Sequence, residues 1–128
     1  RKHFPKGKTT AYFYVSKPVM AITGIAEFDE REELLTWKEK YKDKPIQVLD
    51  RIDEMLTDCR FAVPCLTFQP TNQISLNQLR KDFDDFIVPR MYYYLDDLPL
   101  LDYLKKNLTP TKEKIVHNFE LITDDDIC

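Results

Sequence analysis

Basic residues gather at the start of this 128-residue chain, where they could bind an anionic ligand. The first eight residues, RKHFPKGK, include Arg1, Lys2, Lys6 and Lys8 but no acidic residue, whereas the last five residues, DDDIC, include three aspartates but no base. Such polarity permits a local basic patch on a chain whose formal charge is −3. An ordinary solvated terminus explains the same lysines, and charge alone favours that simpler explanation.

The cysteines, histidines and clustered aspartates of the sequence do not have the spacing of a metal site or a catalytic site. The cysteines and histidines are Cys59, Cys65, Cys128, His3 and His117. They form no CxxC pair, no zinc spacing and no general-base pair. The aspartates of residues 82–97 do not follow the spacing of a calcium-binding loop, and solvated helix ends explain them. The sequence therefore predicts no metal, no cofactor and no catalytic residue.

Length and composition restrict the class of protein. A chain of this length suits one domain with its own core. The odd number of cysteines favours a reducing compartment. No apolar run approaches the roughly 20 residues of a membrane span, and no signal-peptide pattern is present. We therefore expect no membrane association and an intracellular location, cytoplasmic or, in a eukaryote, nuclear. A pI near 5.4 argues against affinity of the whole surface for phosphate.

The residues with binding potential must be positioned by several short elements, because the hydrophobic period changes repeatedly along the chain. Paired antiparallel strands are predicted near 10–16 and 19–28, further strands near 60–69 and 86–95, helices near 30–42 and 45–56, and short helices after Ser75, Asp97 and Thr109. We expect one domain over residues 1–123, followed by an acidic tail at 124–128. Trp37 falls on an apolar helix stripe, which indicates core packing.

Three local signals refine these boundaries. Asp29 with Glu32, and Ser75 with Gln78, have the spacing of capping boxes and predict where two helices begin. Gly24 lies inside a strand pattern and indicates a bulge or a close approach of another backbone.

The order of these segments resembles the PUA-like superfamily, specifically its ASCH branch, with EVE and YTH domains as more distant relatives. The resemblance covers roughly residues 1–95 through FYVSKPVMAITGIAEF, a helix containing Trp37, a strand ending in FQP, ISLNQLRK and FIVPRMYYYL. Positions that match the second strand of the family are Ala21, Ile22, Gly24, Ile25, Ala26 and Glu27. The resemblance implies an α+β fold, a small, partly open PUA-like β-barrel flanked by short helices.

The family also implies a cleft that accepts single-stranded nucleic acid or a flipped base. Such a cleft needs cations for phosphates and an aromatic face for stacking. Candidate residues for nucleic-acid binding are Arg1, Lys2, Lys6, Lys8, Tyr12, Tyr14, Lys17 and Arg90. For each residue alone, the simpler expectation is that the tyrosines fill the core and the lysines keep a strand edge soluble. Their clustering supports a shared binding role.

The chain departs from the family pattern at one motif. ASCH domains usually carry GxKxxExR in their first strand and turn, and no complete copy occurs here. The opening residues resemble the segment on the C-terminal side of that motif, with Arg1 at the position of its last residue. We therefore expect a domain without the first strand of the family pattern.

Three functions remain open. The first is a nucleic-acid binding accessory domain, for RNA or a modified base, without chemistry of its own. The second is a protein-interaction or regulatory domain that has lost the ligand cleft, since Arg90 beside Tyr92 and Tyr94 also suits a protein partner. The third is a nucleoside amidohydrolase, which some small ASCH proteins resemble, although Lys8, Thr9, Thr10 and Glu27 lack the motif's spacing. The first function is favoured.

Overall fold

A computed structural model describes residues 5–127 of the chain. Contacts divide the chain into two compact units, described here separately. The first unit contains residues 5–9, 28–66 and 116–127, and the second contains residues 10–27 and 67–115. The assignment of residues 1–123 to a single domain stays a prediction.

Short helices and strands alternate along the chain. The strands are β1 (Thr9–Val15), β2 (Ala21–Phe28), β3 (Glu32–Glu33), β4 (Phe61–Ala62), β5 (Cys65–Ser75) and β6 (Ile115–Val116). The helices are α1 (Leu34–Lys40), α2 (Ile46–Leu56), α3 (Leu76–Asp82) and α4 (Pro99–Asn107), with 3-10 turns at Phe119–Leu121 and Asp124–Asp126. This mixture confirms the predicted α+β class.

The larger sheet has the strand order β1-β2-β5-β6. The predicted pairing of the first two strands is confirmed, because β1 and β2 are neighbours. Within residues 5–127 this sheet is open, with β1 and β6 at its edges. Closure into a partly open barrel stays a prediction. A second sheet consists of β3 and β4, which pair antiparallel with Glu33 opposite Phe61.

The core of the second unit is built by aliphatic side chains at helical and strand spacing. Its buried members are Ile22, Ile74, Leu79, Leu100, Leu104 and Leu108. The cap of α3 is as predicted, since the Ser75 hydroxyl accepts a hydrogen bond of 3.2 Å from the Gln78 N–H. Helix α4 also begins as predicted, with Pro99 in its first turn.

The core of the first unit surrounds Trp37, which confirms the predicted role of this side chain. The buried set is Leu34, Trp37, Tyr41, Val48, Ile52, Ile122 and Ile127. The indole Nε1–H of Trp37 donates a 2.6 Å hydrogen bond to Glu32 Oε2. Residues 124–127, assigned from the sequence to an acidic tail, form a 3-10 turn, and Ile127 is buried in this core.

The N-cap predicted at Asp29 is wrong. Helix α1 begins only at Leu34, because Glu32 and Glu33 pair with β4. The backbone N–H of Asp29 donates instead to the carbonyl of Pro64, at 2.9 Å. The strand predicted near 60–69 is interrupted next to that proline, which lies between β4 and β5.

Two further elements differ from the sequence prediction. Residues 86–95 form no strand, although their composition favours one. The helix predicted after Thr109 is also absent: Pro110 bridges Thr71 on β5, and the N–H of Thr111 donates to Pro70 at 3.1 Å. Extended pairing along β5 thus replaces the predicted helix.

Gly24 on β2 is a position of close approach, as predicted. A Cβ added there would lie 2.9 Å from Phe68 Cε2 and 3.0 Å from the carbonyl oxygen of Gln69. Both distances are shorter than ordinary van der Waals contact, so only glycine fits here without displacement of a neighbour.

Candidate nucleic-acid interface

Lys6 and Lys8 lie directly before β1 and are both exposed. Gly7 between them has φ +81°, a left-handed conformation that glycine adopts without steric cost. The hydroxyl of Thr9 donates a 3.1 Å hydrogen bond to the Gly7 carbonyl, which fixes the turn into the strand. Within residues 5–127 neither lysine forms an ion pair or a hydrogen bond. Their charges therefore stay available to an external anion.

Most other cations of the first unit are neutralised locally. The ion pairs there are Lys38–Asp53 at 2.8 Å, Lys40–Glu32 at 3.6 Å, Lys42–Glu39 at 2.9 Å, Arg51–Glu54 at 2.8 Å and Arg60–Glu33 at 3.2 Å. A carboxylate at such distances offsets most of the potential that a cation presents to a phosphate. Lys6 and Lys8 thus differ from Lys38 and Lys40 of α1 in lacking this neutralisation.

Tyr12 and Tyr14 pack against the core of the second unit and are half-buried. The ring of Tyr14 lies 6.3 Å from the ring of Phe86, between centroids. Burial raises the pKa of Tyr12 above its usual value. The packing agrees with the simpler expectation that these rings fill the core. Their role as stacking faces for a base stays a prediction.

Two other predicted cations, Lys17 and Arg90, belong to the second unit. Lys17 follows β1 in the second unit, next to a cis peptide bond with Pro18, and Arg90 lies between α3 and α4. Both side chains are exposed, and within the described part of the chain neither forms an ion pair. Arg1 and Lys2 lie outside the described residues. Lys6 and Lys8 are thus the predicted cations that the structure describes in the first unit.

One cationic cluster of the first unit was not predicted from the sequence. The guanidinium carbons of Arg31 and Arg60 lie 4.2 Å and 5.2 Å from the centre of the Phe61 ring. Cation–π contacts of this kind hold arginines on an aromatic face. The cluster depends on the pairing of β3 with β4, which no local sequence signal revealed.

Two of the residues considered for amidohydrolase chemistry, Thr9 and Glu27, already have partners. The Thr9 hydroxyl donates to Gly7, and a carboxylate oxygen of Glu27 lies 3.9 Å from Lys114 Nζ. Within residues 5–127 no three metal-ligating side chains converge.

One concave surface of the first unit does not suit a phosphate backbone. One shallow pocket of about 480 Å³ is lined by Gln47, Asp50, Arg51, Glu54, Asp124, Asp125 and Ile127. Four carboxylates against one arginine make this pocket repel anions.

Among the described residues, no helix has the length and apolar character needed to cross a membrane.

Comparisons with known proteins identify the fold. No protein-family model matches the sequence, and no curated protein matches it. The crystal structure of ASCH from Zymomonas mobilis is 18% identical and has a TM-score of 0.59, covering 86% of this chain and 79% of that chain. A tyrosine-to-phenylalanine variant of that protein is 17% identical, with a TM-score of 0.58 and coverages of 85% and 81%. These likenesses confirm the resemblance to ASCH at the level of the fold.

Proposed function

We propose that this chain is an accessory domain that binds single-stranded nucleic acid, RNA or a modified base, and performs no chemistry of its own. The observation that carries the proposal is the pair Lys6 and Lys8, exposed and without an ion pair within residues 5–127. The ASCH-type fold supports it, because the family resemblance implies a nucleic-acid ligand. The proposal also includes closure of the sheet into a partly open barrel and a cytoplasmic or nuclear location.

The expected interaction is weak and dependent on salt. Each phosphate that a lysine neutralises on a single strand contributes about −0.7 to the slope of log K against log salt. Lys6 and Lys8 would thus contribute about −1.4, and Arg1 with Lys2 would double that value if they contact phosphates too. An affinity in the micromolar range fits a domain that positions a ligand for another protein or domain.

Fluorescence anisotropy with short oligonucleotides tests the proposal. Single- and double-stranded RNA and DNA, with and without modified bases, would be titrated with the protein at two salt concentrations. We expect the single strands to bind and binding to weaken as salt rises. If the folded protein binds none of these oligonucleotides at low salt, the proposal is refuted.

Charge reversal locates the binding surface. Lys6→Glu with Lys8→Glu is expected to lower affinity at least tenfold and to flatten the salt slope by about 1.4. The matched control is Lys105→Glu with Lys106→Glu on α4, because these exposed lysines also lack ion pairs within the described residues. An equal loss in both variants would mean that net charge, and not this patch, governs binding. Lys17→Glu and Arg90→Glu then test the two separate cations.

A further inference from the structure

A long irregular segment, residues 84–98, joins α3 to α4 in the second unit. Irregular connections of this length are uncommon in compact proteins and are usually either functional or disordered. The segment contains the tyrosine run and Arg90, and it forms neither helix nor strand. We call it the tyrosine segment.

Both ends of the tyrosine segment are anchored. Phe86 near one end and Leu95 near the other pack against the core of the second unit. Within the segment the hydroxyl of Tyr93 donates a 3.0 Å hydrogen bond to the carbonyl of Ile87, and the N–H of Leu98 donates to Leu95 at 3.0 Å. These contacts restrain the segment at both ends, which lowers the entropic cost of ordering it when a partner binds.

Large apolar side chains between the anchors face solvent. The exposed fractions are 72% for Ile87, 64% for Met91 and 61% for Tyr94. The rings of Tyr92 and Tyr94 meet edge to face, with centroids 5.8 Å apart. Concentrated apolar exposure of this kind marks interaction surfaces, and tyrosine and methionine are favoured in them.

The charge around these side chains selects the kind of partner. Four exposed aspartates, Asp84, Asp85, Asp96 and Asp97, flank the apolar residues, and Arg90 is the one cation of the tyrosine segment. Within residues 5–127 none of these aspartates forms an ion pair. Carboxylates at both ends of the segment repel a phosphate backbone and attract lysine and arginine. A nucleic acid is therefore disfavoured at this surface.

We infer that the tyrosine segment is a docking surface for a basic segment of a partner protein, whose apolar side chains cover Ile87, Met91 and Tyr94. The partner's lysines or arginines would pair with the flanking aspartates and set its register. The residues of this surface do not include Lys6 or Lys8, and the inference does not depend on nucleic-acid binding.

A peptide selection tests the inference with the full chain. A random dodecapeptide library on phage would be selected on the protein and depleted on the variant Ile87→Ser, Met91→Ser and Tyr94→Ser. The expected enriched peptides combine lysine or arginine with apolar residues. Failure to enrich any peptide, or enrichment of acidic peptides, would overturn the inference.

The best-enriched peptide, synthesised with a fluorescent label, then tests the charge argument. Changing all four flanking aspartates to asparagine is expected to weaken its binding about tenfold. The control variant Leu35→Ser with Val116→Ser removes comparably exposed apolar side chains elsewhere and should leave binding unchanged. Backbone amide chemical shifts of the protein should move within residues 84–98. Shifts confined to other residues, or equal binding by the asparagine variant, would contradict the proposal.

Two other occupants would give distinct results. If a second copy of this chain covers the tyrosine segment, light scattering will show a dimer that the triple serine variant makes monomeric. If a nucleic acid covers it, oligoadenylate will shift the amide signals of residues 84–98. Either result overturns the assignment to a basic protein partner.

Discussion

Substitution of Gly24 by alanine tests how tightly β2 packs against β5. The backbone at Gly24 is not in the left-handed region, so a side chain meets no conformational barrier there. The added methyl would instead clash with the Phe68 ring and press on the Gln69 carbonyl. Phe68 is held in turn by Phe13, whose ring centroid lies 5.9 Å away. The ring can therefore yield only by disturbing this second contact.

Two opposing effects set the change in the free energy of unfolding that Gly24→Ala causes. Overpacking of this kind costs about 1–3 kcal/mol. Replacing glycine by alanine also restricts the unfolded chain, which stabilises the folded state by about 0.4–1 kcal/mol. The contacts with the Phe68 ring are shorter than real Cβ atoms show, so the overpacking cost falls in the upper half of its range, about 2–3 kcal/mol. We therefore expect Gly24→Ala to lower the free energy of unfolding by about 1–2.6 kcal/mol, measured by urea denaturation.

A double-mutant cycle assigns this loss to the Phe68 ring. Phe68→Leu removes the two ring atoms nearest the added methyl, so alanine at 24 should cost at least about 1 kcal/mol less in that background. Part of the loss should persist, because the Gln69 carbonyl stays in place. Gly7→Ala is the control: its Cβ would meet no atom within 4 Å, and its cost of about 1 kcal/mol arises from the left-handed backbone alone. Unchanged stability of Gly24→Ala, or strict additivity with Phe68→Leu, would refute the packing argument.

Two further substitutions test local interactions. Ser75→Ala removes the N-cap of α3 and should lower the free energy of unfolding, measured in urea, by about 1 kcal/mol. The control Ser16→Ala, in an exposed turn, should have little effect. Equal effects of the two substitutions would contradict the capping role of Ser75. Burial raises the pKa of Tyr12 in the folded protein above the value of about 10 in the unfolded chain. The neutral Tyr12 side chain therefore contributes fully to stability below a pH of about 10, and this contribution is lost as the pH rises through the folded pKa. Tyr12→Phe should therefore retain more of its neutral-pH stability in alkaline urea titrations than the unsubstituted protein, and equal losses would show that Tyr12 ionises without opposing folding.

Elements that depend on nearby residues were predictable from the sequence. Helix α2 was expected near 45–56 and runs from Ile46 to Leu56, because its apolar residues recur at helical spacing. The pairing of β1 with β2 and the cap at Ser75 rest equally on short-range signals. Among the candidate site residues, the exposure of Lys6 and Lys8 could be expected from their charge alone, whereas their binding role stays a prediction.

Elements decided by distant contacts could not be predicted. Asp29 has a capping pattern, but its N–H bonds to Pro64, far along the chain. The tyrosine run has strand composition, yet β composition forms a strand only where a partner strand is offered, and the tyrosine segment packs through Phe86 and Leu95 instead. The contacts of Arg31 and Arg60 with the Phe61 ring could not be predicted for the same reason, because they depend on the pairing of β3 with β4.

The burial of Trp37 gives the chain a built-in spectroscopic label. It is the only tryptophan and lies in the core of the first unit, 5.5 Å from the ring of Tyr41, between centroids. The other six of the seven tyrosines belong to the second unit. Tryptophan emission therefore follows the melting of one unit, while tyrosine absorbance reports mainly on the other. Coincidence of the two signals during denaturation would reveal cooperative unfolding without any added dye.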